Sequence, residues 1–387
     1  MNKYLLAKDD FDKFYDLYLY SFNRTDSKQR RDVLKERYDH SKVYGIMNES
    51  NLGSGLLSIP FNINFHGVDF KMNGIGDVMS APEFGGRGGA SSLMKAALSD
   101  MYQDNVTLSY LAPFSFGYYR QFGYEQVFDH TKITIKNTDL PKVEVGQHGH
   151  VKRLNINELP DDAKKMYFEA NFLGGVTRPQ WWWSHMEEKH SDYKVALAYD
   201  DDDKLIGYLV YYSQAETFYI QEWINSNHLS RQLLLKFITK HQSIFSNFVY
   251  ESPEPDFKAD LLADPYSAKL EVVPYMMARI VNLEDFMLRY PVKKMNLPKV
   301  HFQVKDSLEW NDHTYSLAIN DGIVNFEEAD GIGADFEISI QDLTKAAFGY
   351  RSLNSLFEHG VIKGDIKQIN AVNDVFVQIK PQLIDYF

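Results

Sequence analysis

Residues 78–98 read V-M-S-A-P-E-F-G-G-R-G-G-A-S-S-L-M-K-A-A-L, and the fold turns on what this stretch forms. An apolar, strand-like start runs into Pro82, then a glycine-rich turn carrying Arg87, then an amphipathic helix. Gly85, Gly86, Gly88 and Gly89 let the backbone turn tightly and approach a ligand with no Cβ in the way. The unpaired N–H groups that open the helix face the same spot, which makes it an anion site. Arg87 adds a fixed charge whose forked donors suit phosphate oxygens. A pyrophosphate is the expected guest. Two common nucleotide loops do not fit. No lysine follows the glycines as a P-loop requires, and Ser91 falls at the third glycine position of a dinucleotide fingerprint counted from Gly86. The plainer alternative is a strand–turn–helix in which the glycines serve geometry alone.

A second segment, residues 111–125, reads L-A-P-F-S-F-G-Y-Y-R-Q-F-G-Y-E. The first segment resembles the acyl-CoA loop of the GNAT acetyltransferases, roughly V-x-V-x-P-x-x-R-x-x-G-x-[GA], with Pro82, Gly88 and Ala90 in place and Gly85 where Arg or Gln is usual. The second resembles their tyrosine segment, and its Y-R-Q-F-G-Y is closer still to the enhanced intracellular survival (Eis-type) N-acetyltransferases. That resemblance implies Tyr119 as general acid. The chemistry is sensible, because a phenol with a pKa of about 10 can protonate a thiolate whose conjugate acid lies near 8.5. The chain ends F-V-Q-I-K-P-Q-L-I-D-Y-F, with no polar tail after Phe387. Eis-type enzymes end in an aromatic residue whose terminal carboxylate acts as base, and Phe387 matches it in position and type. An aromatic terminus that docks runs against the usual fraying of chain ends; the alternative is that Phe387 simply fills a packing gap.

The resemblance implies acetyl-CoA as acyl donor, bound by Val78, Met79, Ser80, Gly85, Gly86, Arg87, Gly88, Gly89 and Ala90. It also implies a primary amine as acceptor and a homo-oligomer, in this family a hexamer. The chain has no cysteine, so disulfides, a thiolate nucleophile and a cysteine zinc site are excluded. The twelve histidines show no ligand spacing, and His148 and His150 fall in a linker, so no metal is expected. A formal charge of −12 argues against nucleic acid and acidic membranes and is compatible with a cationic acceptor, although it does not describe the site itself. The N-terminus lacks an apolar signal core and no long apolar run occurs, so a cytoplasmic enzyme is expected.

At 387 residues the chain has room for two or three domains. The fold class expected is α+β/α/β: two tandem GNAT-like mixed-sheet domains, then a sterol-carrier-protein-like α/β domain. The first spans 1–145, with Phe11, Phe14, Tyr15, Tyr18 and Phe22 at helical spacing and the segment through Tyr124 completing its sheet. The second spans 146–285. Its D-D-D-D-K is a hairpin turn, and its N-S-N-H-L-S-R lead-in has no glycine-rich loop. Arg178 and Trp181–Trp183 match an arginine and tryptophan of the Eis-type chains; three consecutive tryptophans on a helix make two faces apolar, as between domains. The third spans 286–387 and delivers Phe387. The resulting reading is an acetyl-CoA-dependent N-acetyltransferase for an aminoglycoside, polyamine or lysine-like amine. The alternatives are an apolar-ligand carrier whose first domain is a relic, and an acyltransferase acting on a protein or peptidoglycan-type substrate.

Overall fold

The computed structural model describes residues 3–387 apart from 171, 257, 260, 261, 263 and 293–295. The chain opens with α1 (Phe11–Ser21) and α2 (Lys28–Asp39). Phe11, Phe14, Tyr15 and Leu17 of α1 are buried, while Tyr18 and Phe22 carry the same aromatic stripe out to the rim. Ser27 caps α2 by accepting from the Arg30 N–H at 3.2 Å. Then come β1 (Lys42–Asn48), β2 (Asn51–Phe65), β3 (Val68–Ser80), α3 (Gly89–Gln103), β4 (Leu108–Leu111), α4 (Phe116–Arg120) and β5 (Glu125–Lys136).

The middle of the chain supplies β6 (His150–Asn155), α5 (Asp161–Ala170), β7 (Val176–Thr177), α6 (Gln180–Lys189), β8 (Lys194–Tyr199) and β9 (Leu205–Gln214). It continues with β10 (Thr217–Asn225), α7 (His228–Thr239), β11 (Asn247–Ser252) and β12 (Ala268–Ile280). The D-D-D-D-K turn does join two antiparallel strands, β8 and β9. Among the described residues β1 to β12 form one sheet in the order 1-2-3-4-12-5-11-10-9-8-6, with β7 on the side of β2.

The sequence expectation has the segment through Tyr124 complete the first domain's sheet. The strand after Tyr124, β5, belongs to the large sheet but does not sit beside β4. Instead β12 lies between them, pairing β4 through Met277–Ile280 and β5 through Ala268–Ala278. In return, β5 pairs β11 along Thr131–Lys136. The two halves exchange strands, so the sheet runs unbroken through both. Met276, Met277, Ala278 and Ile280 are all fully buried, which is the apolar continuity a central strand requires.

The last part contains α8 (Leu283–Leu288), β13 (Leu297–Lys305), β14 (Thr314–Asn320), β15 (Ile323–Glu328) and β16 (Phe336–Ser339). It ends with α9 (Ile340–Ala347), α10 (Leu353–Glu358), β17 (Lys363–Gly364) and α11 (Ile366–Val375). A separate sheet of order 15-14-13-16-17 backs these helices. After α11 the chain runs without regular structure to Phe387 and returns to the first half of the large sheet. None of the described helices is long and apolar enough to cross a membrane.

Candidate active site

The site begins with a defect in β3. Leu57 pairs Gly76 and Gly55 pairs Met79, so Asp77 and Val78 together face Leu56 in a bulge, with Asp77 at φ 49°. On its other edge β3 pairs β4 only along Met72–Ile75, opposite Leu108–Leu111. From Gly76 to Ser80 that edge has no strand partner among the described residues. Backbone N–H and C=O groups there are open to an extended ligand, which can add as a strand would.

The glycine loop follows. Gly86 and Gly88 both sit at φ 74°, where a side chain is strained, and Gly88 caps α3 with no side-chain hydrogen bond. The first-turn N–H groups of α3 are therefore left for a guest. A Cβ on Gly89 would lie 2.4 Å from Ser54 Oγ, so this glycine is needed for close packing of loop on strand. Val78, Met79, Ser80, Gly85, Gly86, Gly88, Gly89 and Ala90 line one cleft of about 400 Å³. Arg87 stands outside that lining, its guanidinium over the Phe84 ring at 5.4 Å. The corresponding point in the second half is closed. Asn227 accepts from Ser230 N at 2.9 Å, so the start of α7 is satisfied by its own side chain.

Tyr119 lies on α4 with only 2% of its surface exposed, and its ring meets Phe114 and Tyr118 edge-on. Among the described residues its hydroxyl has no hydrogen-bond partner, and the residue borders a second cleft of about 490 Å³. Burial, reinforced by Tyr118, Tyr124 and Tyr386, raises the phenol well above its ordinary pKa. The phenol thus holds its proton throughout the working pH range. Tyr118 turns the other way, into the loop's cleft. The two clefts share Val78 and Phe114.

Phe387 reaches the same 490 Å³ cleft and is 5% exposed. Its ring packs on Phe61 at 5.3 Å and edge-on to Trp182 at 6.4 Å. Gly74 and Gly76 on β3 make the space: a Cβ on Gly74 would be 2.4 Å from the Phe387 ring, and one on Gly76 would be 3.5 Å from its carbonyl carbon. Gly74→Ala must therefore displace the terminal residue. We expect turnover to fall about 10²-fold, the usual effect of a misplacement near 1 Å, with circular dichroism unchanged. Turnover equal to the parent would separate the terminus from the chemistry.

The tail is held by a network that sequence reasoning did not find. Asp385 accepts from Arg178 Nε, Trp182 Nε1 and the Tyr167 hydroxyl, each at 2.8 Å. Arg178 also donates to Glu222 at 2.7 Å, and the Tyr208 hydroxyl donates to the same carboxylate. The guanidinium lies 3.7 Å from the Tyr167 ring centre. His130 and Tyr275 hold the carbonyls of Leu383 and Ile384 at 2.7 and 2.8 Å. The three tryptophans divide as the sequence implies. Trp181 stacks on His40 and Phe61 of the first half, Trp182 faces the tail, and Trp183 packs with the second half.

The charges on the 490 Å³ cleft were also missed. Arg24, Arg30 and Arg37, from α2 and the segment before it, line it together with Lys189 and His185 of α6. The one signal was the i, i+3, i+4, i+7 spacing of Arg30, Val33, Leu34 and Arg37. Burial drives His185 down to about 2, so its ring is neutral. His148 is exposed and bonds Asp201 at 2.8 Å, a surface pair rather than a ligand set. Among the described residues one trio, His313, Glu328 and Asp330, has metal-ligand spacing, in the last part of the chain.

Residues 4–127 match the acetyltransferase (GNAT) domain family, residues 174–280 a second acetyltransferase (GNAT) domain family, and residues 283–384 the sterol carrier protein domain family. The chain is 33% identical to the "Probable N-Acyltransferase" of Enterococcus faecalis V583, covering 99% of this chain and 98% of that one with a TM-score of 0.93. The fold is shared at lower identity. A GCN5-related N-acetyltransferase from Anabaena variabilis superposes with a TM-score of 0.87 at 20% identity, over 99% of each chain. Eis1 from Mycobacterium abscessus superposes with 0.80 at 16% identity, also over 99% of each. No curated protein matches the chain.

Proposed function

The chain belongs to the GNAT acetyltransferases, built as two GNAT domains and a sterol carrier protein domain, and we propose that it acetylates a primary amine by direct attack on acetyl-CoA. The acyltransferase class follows from the family, and GNAT domains take acetyl-CoA as donor. The acceptor and the residue roles are our reading.

The donor fits what the chain offers. The open edge of β3 at Val78, Met79 and Ser80 would pair with the pantetheine amides, and Gly85 to Ala90, with Arg87, would hold the pyrophosphate. The acceptor nitrogen forms a bond to the thioester carbonyl carbon, and the carbon–sulfur bond breaks. The released sulfur takes the Tyr119 proton, and Tyr119 regains one from water. The proton lost by the amine passes towards the Phe387 carboxylate. No cysteine exists to carry the acetyl group, which favours direct attack over a covalent intermediate. The observation that carries this reading is the convergence of Tyr119 and the chain terminus on a cleft that meets the loop's cleft at Val78 and Phe114. We further propose that the enzyme works as a homo-oligomer, in the hexameric form its resemblance implies.

A thiol-release assay with acetyl-CoA tests the reading, using aminoglycosides, polyamines, lysine-bearing peptides and arylalkylamines as acceptors. Release should depend on the amine and yield one acetylated amine per thiol. Saturable binding of an apolar ligand by a protein that neither binds acetyl-CoA nor releases thiol would replace it with the carrier alternative.

A further inference from the structure

We infer that the acceptor amine also carries an acidic group, a carboxylate or a phosphate, held in the 490 Å³ cleft by Arg24, Arg30 and Lys189. The inference rests on the acetyl-transfer reading above and names the acceptor class for it.

The argument is one of charge balance inside a single cavity. Four cationic side chains line the cleft: Arg24, Arg30, Arg37 and Lys189. Among the described residues Asp77 is the sole side-chain carboxylate in that lining, and Arg37 donates to it in an ion pair in which both side chains are about 10% exposed or less. Among the described residues no carboxylate lies within ion-pair distance of Arg24, Arg30 or Lys189. The Arg30 guanidinium donates to the Thr25 carbonyl, a neutral acceptor that leaves its charge uncompensated. His185 adds no charge, because its ring stays neutral.

Lys189 shows the imbalance most directly. Its side chain is exposed and lines the cleft at the end of α6. Burial, and then the neighbouring Arg37, lower its ammonium to about 8 against the opposite pull of Asp77 and Asp385, neither of which forms an ion pair with it. An anion placed beside it would reverse that shift and fix the proton. The chain terminus also reaches the cleft, and the proposed chemistry reserves its carboxylate for the amine end of the acceptor. Tyr18, Phe22 and Phe114 supply ring faces for the body of the molecule between its two ends.

A polyamine or aminoglycoside would instead bring several positive charges against three cations that, among the described residues, have no ion-pair partner. The formal charge of −12 on the whole chain does not offset this, because exposed charges beyond about 10 Å are screened at ordinary salt. An anionic group meets forked arginine donors and an ammonium, the chemistry that suits carboxylate and phosphate oxygens.

The experiment has two arms. In the first, protein saturated with CoA, so that the glycine loop is filled, is titrated calorimetrically with inorganic phosphate, acetate and spermidine. Phosphate or acetate should bind and spermidine should not, with the stronger anion assigning phosphate or carboxylate. Arg24→Gln and Lys189→Gln should each weaken that binding about tenfold; Arg24 is exposed, so its variant keeps the fold. In the second arm, thiol release is compared for matched amines: glucosamine 6-phosphate against glucosamine, and tyrosine against tyramine. The acidic member of at least one pair should have a kcat/KM at least about tenfold higher, and both variants should erase the preference through KM. Spermidine binding in place of the anions, no anion binding at all, or neutral members that match their acidic partners would overturn the inference. Failure of the acetyl-transfer reading shows separately, as no thiol release with any amine, while the anion titration still decides the charge preference.

Discussion

Tyr119→Phe lowers kcat for acetyl transfer by about 10²–10⁴-fold and leaves acetyl-CoA affinity nearly unchanged, the pattern of a lost general acid. That range corresponds to about 2.7–5.5 kcal/mol of barrier. The substitution removes one oxygen from a buried ring that, among the described residues, no group hydrogen-bonds, so none of them is left unsatisfied and stability should hold. The proton transfer needs care in its direction. With ordinary values, a phenol near 10 gives its proton to a thiolate near 8.5 at an uphill cost of about 2 kcal/mol. Burial raises the phenol further. A thiolate released into the same dry cleft is raised for the same reason, so the gap does not widen in proportion. A raised folded-state phenol pKa keeps the acid form above pH 10. The alkaline limb of kcat in the parent enzyme should therefore show no loss up to that pH. Turnover of Tyr119→Phe close to the parent's would remove the hydroxyl from the mechanism.

The parts of this site that sequence exposes are those encoded within a few residues. The glycine turn is one such part: positive φ at Gly86 and Gly88 and the absence of a capping side chain are local properties, and glycine states them directly. The segment around Tyr119 is another, since α4 is one short turn capped by Ser115, with Gly123 ending it at φ 80°. The docking of Phe387 could be inferred from an apolar terminus. What it docks against could not, because Gly74 reads as an ordinary strand glycine until the terminal ring is placed beside it.

The unread parts are pairings across long stretches of chain. Asp385 and Arg178 are 207 residues apart, and Asp77 and Arg37 are 40 apart on different elements. Nothing in the neighbourhood of either arginine announces its partner. The insertion of β12 beside β4 is of the same kind: each strand's composition suits a central position, but register and neighbour depend on the whole sheet. Cleft charge behaves likewise. The formal charge of −12 says nothing about a cavity whose cations come from α2, the segment before it and α6.

The other large effect expected is at Asp385, two residues from the terminus. Asp385→Ala removes a fully buried carboxylate that accepts three hydrogen bonds, leaving the Trp182 N–H without an acceptor and the Tyr167 hydroxyl with the Val176 carbonyl alone. Arg178 keeps Glu222, so the guanidinium is not stranded, but it loses one of two opposite charges. Breaking a buried pair of this kind costs about 3–5 kcal/mol. The local tie to the tail is what matters for function. Leu383 and Ile384 remain held through their carbonyls by His130 and Tyr275, whereas Tyr386 and Phe387 lose the buried carboxylate beside them that ties their approach to Arg178. We expect kcat to fall at least about 10²-fold while the acetyl-CoA affinity, which we propose rests on the loop around Gly88, stays near the parent value. A purely structural role predicts something different: lower melting temperature with normal kcat in the folded fraction. The two are separated by carboxypeptidase digestion. Release of Phe387 from the variant, under conditions where the parent chain resists, together with a matching loss of kcat, would tie Asp385 to placement of the terminal carboxylate. A protected terminus with low kcat would mean that Asp385 acts on the cleft by another route, and a freed terminus with normal kcat would end the assignment of the Phe387 carboxylate as base.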